Sequence, residues 1–63
     1  MSVKRSDIIK YFNKNGIFLK REGARHSIYS DGNGKIIPLK RHKIFDRVTA
    51  NALCKQAGLD EIF

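Results

Sequence analysis

Two short connections constrain this chain more than anything else in it. The run RHSIYS (25–30) leads directly into DGNGK (31–35) and then IIPL. A stretch so rich in Gly, Asn and Asp tolerates positive φ and reads as a hairpin turn. It lacks the spacing and the following helix of a phosphate-binding loop. Upstream, GIFLKRE (16–22) reaches RHSIYS through little more than the Gly of EGA. Both links suit antiparallel hairpins and are too short for parallel crossovers, so the economical arrangement is a three-strand meander. Pro38 cannot donate to a ladder, which puts KIIPL at an edge or near a strand's end.

Helical signals flank the meander. Ser6, as N-cap, precedes DIIKYFNKN, with Asp7 in the first turn and Gly16 as a stop, and Ile8, Ile9 and Phe12 share a face. This predicts a helix over about Ser6 to Asn15. Asp46 is the N-cap of a second helix, about Arg47 to Ala57, ended by Gly58. Phe45, Val48, Thr49, Ala52, Leu53 and Gln56 recur at helical spacing, and Leu59, Ile62 and Phe63 can close over the core afterwards. The expected class is α+β in the order α-β-β-β-α: a three-stranded antiparallel sheet with both helices on one face.

Sixty-three residues allow one domain, 1–63, with a single small core. No apolar run approaches the roughly 20 residues of a membrane span, and MSVKRSDIIKYF lacks the apolar stretch of a secretory signal. The expected setting is cytoplasmic. Cys54 has no partner for a disulfide and falls on or beside a packed face, and one Cys with two His lacks the clustering of a zinc site, so no metal or other cofactor is expected. Thirteen Lys and Arg against six Asp and Glu leave a net charge of +7, which favours a polyanionic partner such as nucleic acid.

The two histidines sit within that charge. Lys20, Arg21 and Arg25 flank His26, and Lys40, Arg41 and Lys43 surround His42. Strand alternation puts His26 on the same side as Ile28 and Ser30; with Ile28 facing the helices, His26 is expected on the helix side, close to Arg25 and Lys20. Two roles stay open there: a semi-buried packing residue, or a proton-transfer group whose ordinary pKa of about 6.5 suits acid and base work near neutrality. A ribonuclease needs a base for the ribose 2′-hydroxyl, an acid for the leaving 5′-oxygen, and cations for the growing phosphate charge. No nucleophilic triad or carboxylate dyad is apparent.

Taken together, NKNGIFLKREGARHSIY, then IPLKRHK, then the closing ALCKQAGL resemble the HicA family of toxins, small messenger-RNA endonucleases of prokaryotic toxin-antitoxin pairs. The most specific pieces are the Gly-containing turn into a histidine followed by alternating apolar residues, and the proline followed by a basic residue and His. The resemblance implies a double-stranded RNA-binding-domain-like fold, metal-independent RNA cleavage with His26 as the catalytic residue, and a HicB-type antitoxin as partner. Where the family commonly reads Gly-Ser-His, this chain has Ala24-Arg25-His26, and Arg25 becomes a phosphate-contact candidate. His42 falls in the second motif, and no catalytic role is carried onto it. The expectation is a toxin that is a monomer when free, cleaving mRNA on or off the ribosome, with Lys20, Arg21, Arg25, Lys40 and Arg41 binding the RNA backbone. The alternative is a non-enzymatic RNA-binding module in which His26 only packs.

Overall fold

The structure, a computed structural model, describes residues 2–63. In chain order the elements are β1 (Ser2–Lys4), α1 (Arg5–Lys14), β2 (Phe18–Glu22), β3 (His26–Ser30), β4 (Ile36–Lys40), β5 (Ile44–Asp46) and α2 (Arg47–Gln56). The strands β2-β3-β4 form an antiparallel meander with β3 central, and α1 and α2 share its inner face. This is the expected α-β-β-β-α order, a double-stranded RNA-binding-domain-like fold. The turn after β3 behaves as its composition demands: Gly32 and Gly34 take φ of +82° and +91°, and Asp31 Oδ1 accepts from the backbone N–H of Asn33 at 2.8 Å. Pro38 lies on β4, an edge strand, where its missing donor costs no ladder bond.

Strands β1 and β5 add a second, two-stranded sheet that the sequence reading did not include. Each is three residues long, and Val3 pairs with Phe45 so that both are buried against the core. Nothing in a three-residue run signals this pairing, because it is long-range and its periodicity is too short to register. It also moves the start of α1. The helix begins at Arg5 with Lys4 as its cap residue, not at Ser6, and the Arg5 N–H donates to the Lys43 carbonyl at 2.9 Å. An orphan donor of the first turn is thus met by neighbouring backbone, and no side-chain cap is used.

In α2 the N-cap is Asp46 as expected, accepting from the Thr49 N–H at 2.7 Å. The buried face differs from the expected one. Ala50, Cys54 and Ala57 are buried with Leu53 packed beside them, whereas Val48 is 78 % exposed and Thr49, Ala52 and Gln56 face solvent. Both stripes have helical spacing; close approach of α2 to the sheet selects the one rich in small residues. The tail then folds back. Leu59 and Phe63 pack on the core while Ile62 stays exposed, and Asn51 bonds both the N–H and the carbonyl of Phe63.

The core is made by Ile8 and Phe12 of α1, Tyr29 of β3, Ile37 and Leu39 of β4, and the small residues of α2. Phe12 is fully buried and meets Tyr29 edge to face, with centroids 6.0 Å apart. Replacing Phe12 by Ala should cost about 3–5 kcal/mol, a large part of what so small a domain possesses. Val48→Ser should change stability by less than about 0.5 kcal/mol, although both residues belong to apolar helical stripes. Urea denaturation of the two variants checks the contrast.

Candidate active site

His26 is the first residue of β3, set immediately after the Gly23–Arg25 turn. It is not on the buried side of β3, although the cleft it lines is bordered by Thr49 and Leu53 of α2. Ser27 and Tyr29 are the buried residues of β3, and His26, Ile28 and Ser30 point to the outer face. The expected side is therefore reversed, for two reasons. Tyr29 brings a larger apolar body to the core than Ile28 does, and the Ser27 hydroxyl, only 1 % exposed, accepts from Arg5 Nη2 at 2.9 Å. A buried hydroxyl without a partner would cost roughly 1–3 kcal/mol, and Arg5 removes that penalty. Arg5 Nε also donates to the Lys40 carbonyl at 3.3 Å, tying the start of α1 to the same end of the sheet.

The turn before His26 is held from β4's end by Arg41. Its Nη1 donates to the Ala24 carbonyl at 3.1 Å and its Nη2 to the Gly23 carbonyl, while the guanidinium pairs with the Glu22 carboxylate at 3.2 Å. Gly23 closes the turn, donating its N–H to the His26 carbonyl at 2.8 Å. A side chain at Gly23 would put its Cβ 2.9 Å from that same carbonyl oxygen. The Ser27 hydroxyl first, then Arg41 and Arg5, hold the Glu22 carboxyl below its ordinary range. Arg5 and Glu22 had no motif to mark them, since both act through contacts distant in sequence.

On the outer face, His26 is paired in register with Lys40, and Ile28 lies between Arg21 and Pro38. Arg25, His26, Lys40, Arg41 and His42 line one open hollow of ≈510 Å³. A neighbouring cleft of ≈340 Å³ shares His26, Lys40 and His42 and has apolar walls from Pro38, Ile44, Phe45 and Leu53. The His42 ring rests near Phe45, with centroids 5.9 Å apart. Arg21 follows on the same face one register step away. Lys20 does not join His26: it stands at the β2 irregularity and lines a separate hollow beside Gly16, Ser30 and Asp31. Strand β2 runs away from the turn, so each residue further from Glu22 is carried about 3.3 Å farther off.

A half-buried imidazole set among cations suits proton transfer on a bound phosphate ester. Cys54 is no rival nucleophile, because it is buried in α2 and burial pushes its thiol up. Among the described residues, no three His, Cys, Asp or Glu side chains converge as metal ligands.

Two consequences can be measured. Because the folded-state pKa of Glu22 lies below its unfolded value, its contribution is fully present above the unfolded pKa and is lost as pH falls through the folded one. Glu22→Gln should therefore be less stable than the unaltered chain at neutral pH and equal to it at strongly acid pH, as read by urea titrations across that range. Gly23→Ala should destabilise by about 1 kcal/mol or more, since the crowding at the His26 carbonyl outweighs the stiffening of the unfolded chain, and should shift the His26 imidazole resonances in NMR spectra.

No curated protein and no solved structure matches the chain. A family model does: that of the HicA toxin of bacterial toxin-antitoxin systems, over residues 5–59. The match runs from the first residue of α1 to Leu59, just past α2, and so contains the whole meander and the hollow around His26. By that coverage the chain belongs to the HicA toxin family and is the toxin of a toxin-antitoxin pair.

Proposed function

We propose that this toxin is a metal-independent endoribonuclease of messenger RNA in the cytoplasm, with His26 as a catalytic acid-base residue. The observation that carries the reading is the placement of His26: half-buried on the outer side of β3, opposite Lys40, in a hollow shared with Arg25, Arg41 and His42. There the imidazole takes a proton from the ribose 2′-hydroxyl as its oxygen attacks the adjacent phosphorus. The P–O5′ bond breaks, leaving a 2′,3′-cyclic phosphate and a 5′-hydroxyl.

Arg25, Lys40 and Arg21 contact the RNA backbone and stabilise the charge that grows on the phosphate. Arg41 is occupied by the turn carbonyls and Glu22, so its share is electrostatic field in the hollow more than direct bonds. Lys20, at its separate hollow, contacts RNA farther along the strand. The neighbouring cleft, with apolar walls, accommodates a nucleoside next to the scissile phosphate.

The free toxin acts as a monomer and is silenced by a HicB-type antitoxin. Such a partner brings carboxylates to the cationic face, because complementary charge speeds encounter and covering His26 removes the acid-base group.

His26→Ala should abolish growth arrest and lower RNA cleavage by about 10²–10⁴-fold while leaving the thermal unfolding transition in place. A 2′-deoxyribose at the cleaved position should block cutting by the unaltered toxin. Full cleavage of that deoxy-substituted RNA would overturn the mechanism. Binding of RNA with no cleavage by the unaltered toxin would instead identify a non-enzymatic RNA-binding module.

A further inference from the structure

One imidazole leaves half of the proposed reaction without a partner. In an in-line displacement at phosphorus the entering 2′-oxygen and the leaving 5′-oxygen occupy opposite apices. One side needs a base and the other an acid, each within about 2.6–3.2 Å of its own oxygen. A single ring fixed at the start of β3 addresses one side.

The second side has a candidate in His42. His42 follows β4 by two residues and lines both cavities that His26 lines. Lys40 stands between them: its Cα lies about 5 Å from that of His26 by antiparallel pairing, and His42 is at most about 7 Å farther along the chain. The order His26, Lys40, His42 thus sets a cation between two imidazoles across a space that admits a phosphate. His42 is exposed to that space, and one side of its ring is backed by Phe45 at a centroid distance of 5.9 Å. The Phe45 ring, tilted by 41° to the imidazole, bounds that side of it.

We propose that His42 is a second catalytic residue, the general acid that delivers a proton to the leaving 5′-oxygen while His26 takes the proton of the 2′-hydroxyl. This rests on the endoribonuclease reading above. The step balances: the O2′–P bond forms and the P–O5′ bond breaks. One proton passes from the 2′-hydroxyl to His26 and another from His42 to the 5′-oxygen, and exchange with water restores both rings.

The test uses the unaltered toxin, its His26→Ala and His42→Ala variants, and two RNA oligonucleotides of one sequence. One is ordinary RNA; the other carries sulfur in place of the 5′-oxygen at the cleaved bond, a leaving group that needs no proton. His42→Ala should cut ordinary RNA about 10²-fold or more slowly, cut the sulfur-bridged RNA close to the unaltered rate, and lose the alkaline limb of the pH-rate profile. His26→Ala should be slow on both. Affinity for a 2′-deoxy-substituted, uncleavable RNA should be unchanged in His42→Ala, which separates proton transfer from binding. If His42→Ala cuts ordinary RNA at the unaltered rate, or is equally slow on both RNAs, the assignment of His42 is overturned while that of His26 stands. If His26→Ala retains full cleavage, the proposed function itself falls.

Discussion

Ser27 enters the core because Arg5 donates to its hydroxyl at 2.9 Å, and its neighbours on β3 take their faces from that choice. Consecutive strand residues face opposite sides, so an inward Ser27 makes an outward His26. A one-residue change of parity would send the histidine under the helices and bring Ile28 with it. The bond therefore acts on more than one hydroxyl: it sets which side of the sheet carries the imidazole, the Lys40 side chain and the row of Arg21, Ile28 and Pro38. Arg5 can do this because β1 and β5 pair just before it, anchoring the first turn of α1 at Lys43.

At the same end of the sheet, Arg41 gathers the β2–β3 turn. Its planar guanidinium satisfies the carbonyls of Gly23 and Ala24 and pairs with Glu22, a set of acceptors that a lysine's single ammonium would not match in one plane. The turn is thereby attached to the end of β4, and the start of β3 sits between two arginines, Arg5 from the inner side and Arg41 from the turn. Positional stiffness of this kind suits the acid-base role proposed for His26, since small displacements from reacting atoms are costly. The outer side of the sheet is open around the histidine except where β5 and α2 border its β4 edge, and Arg21, Arg25 and Lys40 place cations there.

Much of the molecule was legible from local chemistry. DGNGK had to turn because its glycines accept positive φ, and the shortness of the two connections then required antiparallel neighbours. Asp46 capped α2 because a carboxylate three residues before Thr49 meets an orphan N–H, and Pro38 went to an edge strand because it has no donor to lose. Sequence neighbours grouped His26 with Lys20, Arg21 and Arg25, and His42 with Lys40, Arg41 and Lys43; it is the β3–β4 register, pairing His26 with Lys40, that puts Lys40 and Arg41 on the hollow of His26. What escaped was long-range or ambiguous in period: the β1–β5 pairing, the start of α1, and the buried stripe of α2, where Ala50, Cys54 and Ala57 displaced the larger Val48.

By itself, then, the sequence determined the two helices flanking a three-strand meander, the turns and the residues able to carry charge and protons, because propensity, capping and turn chemistry act within a few residues. Only the tertiary structure decided which face each strand shows. Alternation specifies two sets of residues on β3 but not which set is buried, and that choice fell to partners distant in the chain: Phe12 against Tyr29, and Arg5 against Ser27. The same long-range packing put Lys20 on a hollow apart from His26 and put His42 on both cavities that His26 lines, two outcomes that sequence distance alone would have ranked the other way.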